Sequence, residues 1–325
     1  MLDLNDKTIL VTGNEGFIGS NFIEYVYKYY NNVKIVGLDK GGIGSRRLYF
    51  NNLANEYIDY VHDISQYESK YGVFTKYKFD YVFNFAAESH VDRSITDPTF
   101  FIKNNITSVA VLFDQLKKYQ PQARIIHISS DEVFGHLDVW DKPFTEYSPL
   151  RPRSPYAASK ASSDLVALAF HETYGMDVIV TRCCNNFGPN QHDEKFIPTV
   201  LRSLTEGKKI PVYGSGENIR EWIFVDDHNK SILEIARWGK AGQTYNIGSG
   251  SERTNLELIQ NILDVYPSDH TIKLSDAITF VEDRKGHDFR YAISSKKYIR
   301  GFDLVPFNDA LKTTVLWYAN KYAPV

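Results

Sequence analysis

The stretch TILVTGNEGFIGSNFIEYVYKYY, residues 8–30, changes its hydrophobic period part-way through. Its first residues, Thr8–Thr12, form a short apolar run that reads as a strand. From Gly16 onward, Phe17, Ile18, Phe22, Ile23 and Val26 recur at helical spacing. Gly13, Gly16 and Gly19 stand at the junction. A strand, a glycine-rich turn and a helix decide the fold class, because the alternation then continues. KIVGLD (34–39), YIDYVHD (57–63), FDYVFNFAA (79–87), the apolar run 123–129 and DVIVTRC (177–183) read as further strands. A helix is expected over 98–119, with Asp97 as its N-cap and Pro98 in first position. Another is expected over 154–175, closed by Gly175. Apolar strands separated by helices predict a parallel sheet covered on both faces. Right-handed connections reduce the topology to an α/β doubly wound sheet, Rossmann-like in plan.

After about residue 185 the pattern loosens into loop-rich sequence with scattered Gly, Pro and charge. This predicts a smaller lobe over 185–325 beside a first domain over 1–184. The two should interleave, since EWIFVDDHNKSILEIARW (221–238) and QTYNIGSG (243–250) still read as core elements. Segments near 222–248 are therefore expected to return to the first domain. A cleft between lobes is where a ligand is expected.

Composition narrows the function classes. The chain has 325 residues, enough for one large domain or two modest ones. A net charge of −3 gives no reason to expect nucleic acid or an anionic membrane as partner. No apolar run reaches the ~18 residues of a membrane span. The opening MLDLNDKTILVTG has no basic segment followed by an apolar one, so no signal peptide is expected. Cys183 and Cys184 are adjacent, which disfavours a disulfide, and two thiols make no metal site. They read as small buried side chains, consistent with a reducing cytoplasm. No metal is expected.

The glycines have separate tasks. The first permits a tight turn, the second lets backbone approach a pyrophosphate, and the third lets helix pack on strand. The free N–H groups of the helix N-terminus would face the phosphates. The spacing is G-x-x-G-x-x-G, and glycine triplets alone also occur in plain turns. The context adds weight, because Asp39 closes the second strand 20 residues past Gly19. A carboxylate there accepts from a ribose 2′-OH and repels a 2′-phosphate, which favours NAD over NADP. The segment His62, Asp63, Ile64 at the end of the third strand would suit the adenine edge.

SPYAASKASS sets Tyr156 and Lys160 at i and i+4, on one helix face. An ammonium near a phenol lowers the phenol pKa, and a phenolate takes a proton from an alcohol. With 22 tyrosines in the chain, this spacing alone has little weight. The end of the 123–129 run is less common: Ser130 is followed by two adjacent acids, Asp131 and Glu132. Two close carboxylates disfavour double ionisation, so one keeps its proton and the other does not.

TGNEGFIG (12–19), SSDEVFG (129–135) and YAASK (156–160) together resemble the extended short-chain dehydrogenase/reductases. NFAAESHVDRSI (84–95), CCNNFGPNQHDEKFIP (183–198), IREWIFVDDH (219–228) and VEDRKGHDFRYA (281–292) resemble, within them, the nucleoside-diphosphate-glucose 4,6-dehydratases, dTDP- or UDP-linked. The resemblance covers residues 8–302. It implies a lyase that removes water from dTDP- or UDP-glucose to give the 4-keto-6-deoxy sugar nucleotide, with NAD retained. Tyr156 would take the 4-OH proton as hydride leaves C4, with Ser130 and Lys160 assisting. Glu132 would remove the C5 proton, and protonated Asp131 would serve the departing 6-OH. Hydride would return to C6. The resemblance also implies cofactor contacts from Gly13, Gly16, Phe17, Ile18, Gly19, Asp39, Asp63, Ile64, Ala86, Ala87, Asn105, Tyr156 and Lys160. Substrate contacts are implied for Ser89, Asn185, Asn186, Glu194, Lys195, Asn255 and His287, with Arg220 and Arg284 as diphosphate clamps. Arg220 beside Glu221 also reads as a surface pair, and His287 as a loop histidine with a local partner. Family members dimerise by packing two helices per subunit, here 98–119 and 156–174, so a homodimer is expected. The family usually has threonine where Ser130 stands; the hydroxyl is kept. Two other readings stay open: a sugar-nucleotide 4-epimerase or decarboxylase on the same scaffold, and a non-catalytic NAD-binding module.

Overall fold

The structure is a computed structural model that describes residues 2–42, 44–50, 54–68, 71–268, 271–298 and 300–323. Its strands, in chain order, are β1 (Thr8–Thr12), β2 (Lys34–Asp39), β3 (Glu56–Val61), β4 (Tyr81–Asn84), β5 (Arg124–Ser130), β6 (Val178–Cys183), β7 (Asn185–Phe187), β8 (Ile210–Tyr213), β9 (Ile219–Phe224), β10 (Thr244–Ile247), β11 (Glu252–Thr254) and β12 (Ile278–Val281). Seven of them make one sheet in the order β10-β6-β5-β4-β1-β2-β3, with every neighbouring pair parallel. The chain leaves β1 in one direction for β2 and β3. It then crosses back to β4 on the other side. That reversal opens a crevice at the carboxyl ends of β1 and β4, where ligands of such sheets sit.

Alternation along each strand supplies both faces. Ile9 and Val11 of β1 join Phe22, Ile23 and Val26 of the helix Phe17–Tyr29 in one apolar cluster. Leu10 points the other way, into a cluster with Val109, Leu112, Phe113 and Leu116 of the helix Ser108–Tyr119. A sheet buried on both faces has no polar side to spare, which is why its strands read as unbroken apolar runs.

The helix expected over 98–119 is one rod with a defect. Pro98–Ile102 and Ser108–Tyr119 are α-helical, and Lys103–Thr107 between them forms a π turn. Asp97 caps it as expected, its side chain accepting from the Phe100 N–H. The helix Pro155–Tyr174 ends at Gly175, which takes a left-handed φ of 67°.

The remaining strands build the second unit. β7, β9 and β11 form a three-stranded sheet, and β8 pairs with β12. Phe187, Trp222, Leu201, Leu258, Leu311 and Tyr318 centre its separate core. Part of the 222–248 region pairs with the large sheet. β10 forms its seventh strand, and Ile232, Leu233 and Ile235 of the helix Val225–Trp238 join the cluster of β1. β9, at 219–224, instead belongs to the small sheet. No described helix is long and apolar enough to cross a membrane.

The glycine turn is tight for stated reasons. Gly13 has a φ of 68°, and a Cβ there would lie 2.7 Å from the Ala86 backbone nitrogen. A Cβ on Gly19 would lie 2.2 Å from the Gly13 carbonyl oxygen. Gly19→Ala is therefore expected to lose about 1–3 kcal/mol of stability through overpacking. It should also shed cofactor, because the helix must retreat from the turn. A thermal melt and the nucleotide content of the purified variant read both effects.

Candidate active site

Six strands of the large sheet, β1 to β6, bring their carboxyl ends to one cavity, β3 through His62. Gly13 follows β1, Asp39 closes β2, Ala86 and Ala87 follow β4, Ser130 closes β5 and Cys183 closes β6, and all of them line it. One half of this cavity suits a dinucleotide. The helix Phe17–Tyr29 starts at Gly16 with no side-chain cap and no acid in its first turn. Its first N–H groups, with Phe17, Ile18 and Gly19 on the cavity wall, are left for an anion. The Asp39 carboxylate is braced by the N–H groups of Glu15 (3.2 Å) and Gly41 (3.0 Å), one on each oxygen. Each oxygen keeps a lone pair for a ribose hydroxyl. His62 stacks on Tyr71 at 3.9 Å between ring centres, at the end where Asp63 and Ile64 line the cavity. These residues fit NAD.

Asn105 is the exception on the cofactor side. It is buried in the π turn and does not line the cavity. Its amide accepts from the Glu88 N–H (2.8 Å) and donates to the Glu88 carbonyl (3.0 Å) and Ser159 Oγ (2.8 Å). With every polar atom occupied, it braces the loop after β4 against the tyrosine helix. Asn104, its neighbour, lines the cavity in its place.

The other half of the cavity carries the residues expected to act on the substrate. Ser130, Asp131, Glu132, Tyr156 and Lys160 share its wall. Ser130 caps a short 3₁₀ turn, Asp131–Phe134, its Oγ accepting from the Glu132 N–H at 3.3 Å. That turn sends the two acids apart. Asp131 is 2% exposed, and its Oδ1 accepts from Ser130 Oγ at 3.3 Å. Burial, then Glu132 and Glu221, push the Asp131 carboxyl well above the usual range. Burial also raises Glu132, but Arg284, Arg220 and Lys195 pull it back. Both carboxyls are therefore raised, Asp131 more strongly, while nearby cations oppose the rise at Glu132.

Tyrosine and lysine do not interact as the spacing suggested. Lys160 Nζ donates to the Ile128 carbonyl at 2.9 Å, so its ammonium is committed to the end of β5. Burial holds the Tyr156 phenol well above its ordinary value, and Glu132 adds to the rise; the Ser130 hydroxyl bonds it and lowers it. The expected lowering by lysine is overturned in the protein alone, because desolvation outweighs it.

The substrate side is basic. Ser89, Asn185, Asn186, Glu194 and Lys195 line the cavity. Lys195 Nζ donates to the Ser89 carbonyl at 2.7 Å. Arg220 is buried, lies over the Tyr291 ring at 4.4 Å, and donates to the carbonyls of Ile219, Asp288 and Phe289. The surface-pair reading fails, since Glu221 is also buried and turns away to accept from the N–H groups of Ser249, Gly250 and Ile293. Arg284 and Arg220 act electrostatically on Glu132 and on each other, although neither lines the cavity. His287 bonds Asp283 at 2.7 Å, and burial beside Arg284 pushes it down to about 4. It is a neutral neighbour of these arginines with a local partner. Asn255 opens a helix, donates its N–H to the Asn218 carbonyl, and lies off the cavity wall.

Sequence reasoning missed Glu88 and Arg93, which also line the cavity. Arg93 binds Glu194 at 2.8 Å and so ties the loop after β4 to the second unit. It missed Glu221 as an influence on Asp131. The signal was its place beside Arg220 in IREWIFVDDH, since successive strand positions face opposite sides.

Comparison with known proteins places the chain in a family. The family model described as GDP-mannose 4,6 dehydratase matches residues 10–304. A dTDP-glucose 4,6-dehydratase of Haemophilus influenzae is 38% identical over 95% of this chain and 97% of its own. One from Actinoplanes is 41% identical over 95% of this chain and 97% of its own. The crystal structure of DesIV, a dTDP-glucose 4,6-dehydratase of Streptomyces venezuelae solved with NAD bound, superimposes with a TM-score of 0.87. It is 39% identical and covers 96% of this chain and 97% of its own. A UDP-N-acetylglucosamine 4-epimerase of Methanobrevibacter ruminantium shares the fold at a TM-score of 0.84 and 27% identity, covering 99% of this chain and all of its own. The chain belongs to the GDP-mannose 4,6 dehydratase family.

Proposed function

We propose that this enzyme, an NAD-dependent 4,6-dehydratase, takes dTDP-glucose in preference to UDP-glucose. One observation supports dehydration over epimerisation: two adjacent acids, Asp131 and Glu132, line the same wall as Ser130, Tyr156 and Lys160, and burial favours the protonated form more strongly at Asp131. Moving hydride from a carbinol and back needs only hydroxyl, tyrosine and lysine. Elimination of water needs an acid and a base as well, and this pair supplies them. The relatives' dTDP-glucose supports the nucleotide choice.

NAD, when bound, accepts hydride from C4 of the sugar and returns it to C6. Tyr156 takes the 4-OH proton, and Ser130 hydrogen-bonds the same oxygen. Glu132 removes the C5 proton made acidic by the new ketone. Asp131 protonates the departing 6-OH, and Glu132 gives its proton back to C5. Lys195, Arg220 and Arg284 supply the positive charge that a diphosphate needs.

The same reading includes a cytoplasmic enzyme, supported by two free buried thiols. Residues 1–184, with the returning 225–247, form its cofactor domain, and 185–325 the substrate lobe. A homodimer is supported by Phe100, Ile102, Leu165 and Tyr174, apolar side chains left exposed on the two helices in question. The test is to incubate purified protein with dTDP-glucose, and separately UDP-glucose, with no added NAD. Loss of one water by mass spectrometry, faster with dTDP-glucose, is expected. A change of configuration without change of mass overturns the dehydratase reading.

A further inference from the structure

Beneath the catalytic lysine lies a line of buried polar groups that the mechanism does not use. Thr12, Asn84 and His127 are register partners across β1, β4 and β5, and all are at most 2% exposed. Thr12 Oγ1 donates to Asn84 Oδ1 at 2.5 Å, which fixes the orientation of the Asn84 amide. Asn84 Nδ2 must then donate to His127 Nδ1, 2.8 Å away. The His127 proton is left on Nε2, where Ser163 Oγ lies at 3.2 Å and Asp164 Oδ1 at 3.6 Å. Asp164 Oδ2 accepts from Arg182 Nε at 2.9 Å. The line ends in a carboxylate with no exposed side-chain surface.

Asp164 stands four residues beyond Lys160, one turn along the same face of the helix. Lys160 is 4% exposed and Arg182 is also buried. His127, held neutral, offers no charge of either sign. Asp164 is ion-paired with Arg182, and it is the one buried acid on the helix that carries Lys160. A buried ammonium without a counter-charge loses its proton readily.

We propose that Asp164 is the positioning residue that keeps Lys160 in its ammonium form in the cofactor cavity. Asp164 touches neither substrate nor cofactor, and it acts through Lys160. The other titratable groups that interact with Lys160 are His127 on β5 and Cys183 on β6. Asp131 and Glu132, on the turn after β5, face Tyr156. Charged groups on the other packed helices are engaged elsewhere: Arg93 with Glu194, Asp92 with Arg284 and Lys117 with Asp114. Lys103, on the π turn, is exposed. Burial alone depresses the Lys160 ammonium, and Asp164 is the leading influence that restores it.

The inference rests on the dehydratase reading, and one experiment separates the two. Dehydration rates of the wild type, Asp164→Asn and Asp164→Glu are measured between about pH 6 and pH 10, bracketing a perturbed lysine. Asparagine keeps the shape and can still accept from Arg182. The alkaline limb of Asp164→Asn is expected to move down by about one pH unit. Asp164→Glu should return the limb to the wild-type position even at a reduced rate. A rate lowered by the same factor at every pH, with the limb in place, overturns the proposal and leaves Asp164 a packing residue. If Asp164→Asn does not fold, Lys160→Arg decides, since a guanidinium keeps its charge. Its residual turnover should lack the alkaline fall, and a limb at the wild-type position would overturn the proposal. If the wild type itself releases no water, the dehydratase reading is what fails.

Discussion

Glu132→Gln is expected to abolish turnover of the sugar nucleotide, lowering the rate by about 10²- to 10⁴-fold, the range lost when a positioned general base is removed. The change is small in shape and large in chemistry. Glutamine fills the same space and still meets Lys195, Arg220 and Arg284, but it cannot accept a proton from carbon. In the proposed mechanism those three cations favour Glu132 as the base. Burial raises its carboxyl, and they oppose that rise. Solvent deuterium separates this step from the others. In D₂O the wild type should return one deuterium to C5 of its product, because the proton that Glu132 removes exchanges before it is replaced. Glu132→Gln should show neither water loss nor deuterium at C5 of recovered substrate. Asp131→Asn should still exchange C5 while releasing water slowly, since only the leaving group has lost its acid. Glu132→Gln turning over within about tenfold of wild type, or about 1.4 kcal/mol of barrier, would remove Glu132 from the mechanism.

The contrast between these two acids was only half legible in the chain. That Asp131 and Glu132 must differ follows from adjacency, because two close carboxyls cannot both ionise freely. Which one keeps the proton does not follow. It depends on Glu221 and the arginines, which lie about 90 to 150 residues away in sequence and meet the acids only through β9 and the 281–292 segment. The sheet was legible for the opposite reason. Most of its first six strands are apolar runs bounded by a local turn signal, though β3 carries Glu56 and Asp59. The seventh, β10, was recognised as a core element without its partner, since nothing in TYNI specifies pairing with β6. Asn105 shows the same limit at one residue. An asparagine after an N-capped helix start looks free to bind a ligand. Only the π turn, which no periodicity announces, reveals that its amide is engaged by Glu88 and Ser159. Local chemistry can thus be read from composition and spacing, whereas charge balance in a buried site is set by folding.

Asp131→Asn should make the protein more stable while disabling it, and the gain should depend on pH in a stated direction. The Asp131 carboxyl is raised well above the usual range by burial and by the neighbouring Glu132 and Glu221. In the unfolded chain it titrates near 3.9. Between that value and its folded value, the folded state binds a proton that the unfolded state has released. Stability must therefore fall as pH rises through this window, by up to about 1.4 kcal/mol per pH unit. Below the unfolded value both states hold the proton and nothing is lost. Asparagine carries no such proton, so the variant escapes the penalty. Its melting temperature should exceed that of the wild type at pH 7 to 8 by several degrees, at about 2 °C per kcal/mol for a chain of this size. The difference should shrink steadily toward pH 4. One opposing effect is small: Asp131 Oδ2 has no hydrogen-bond partner in the fold, and the amide inherits the same unsatisfied position. A melting difference that stays constant across this range would show that Asp131 does not hold its proton in the folded protein. The acid that serves the departing 6-OH would then have to be sought elsewhere on the cavity wall. A difference that grows with pH, together with slow water release and intact C5 exchange, would place the proton on Asp131. It would also mean that the enzyme keeps a destabilising acid in its core because the elimination step requires one.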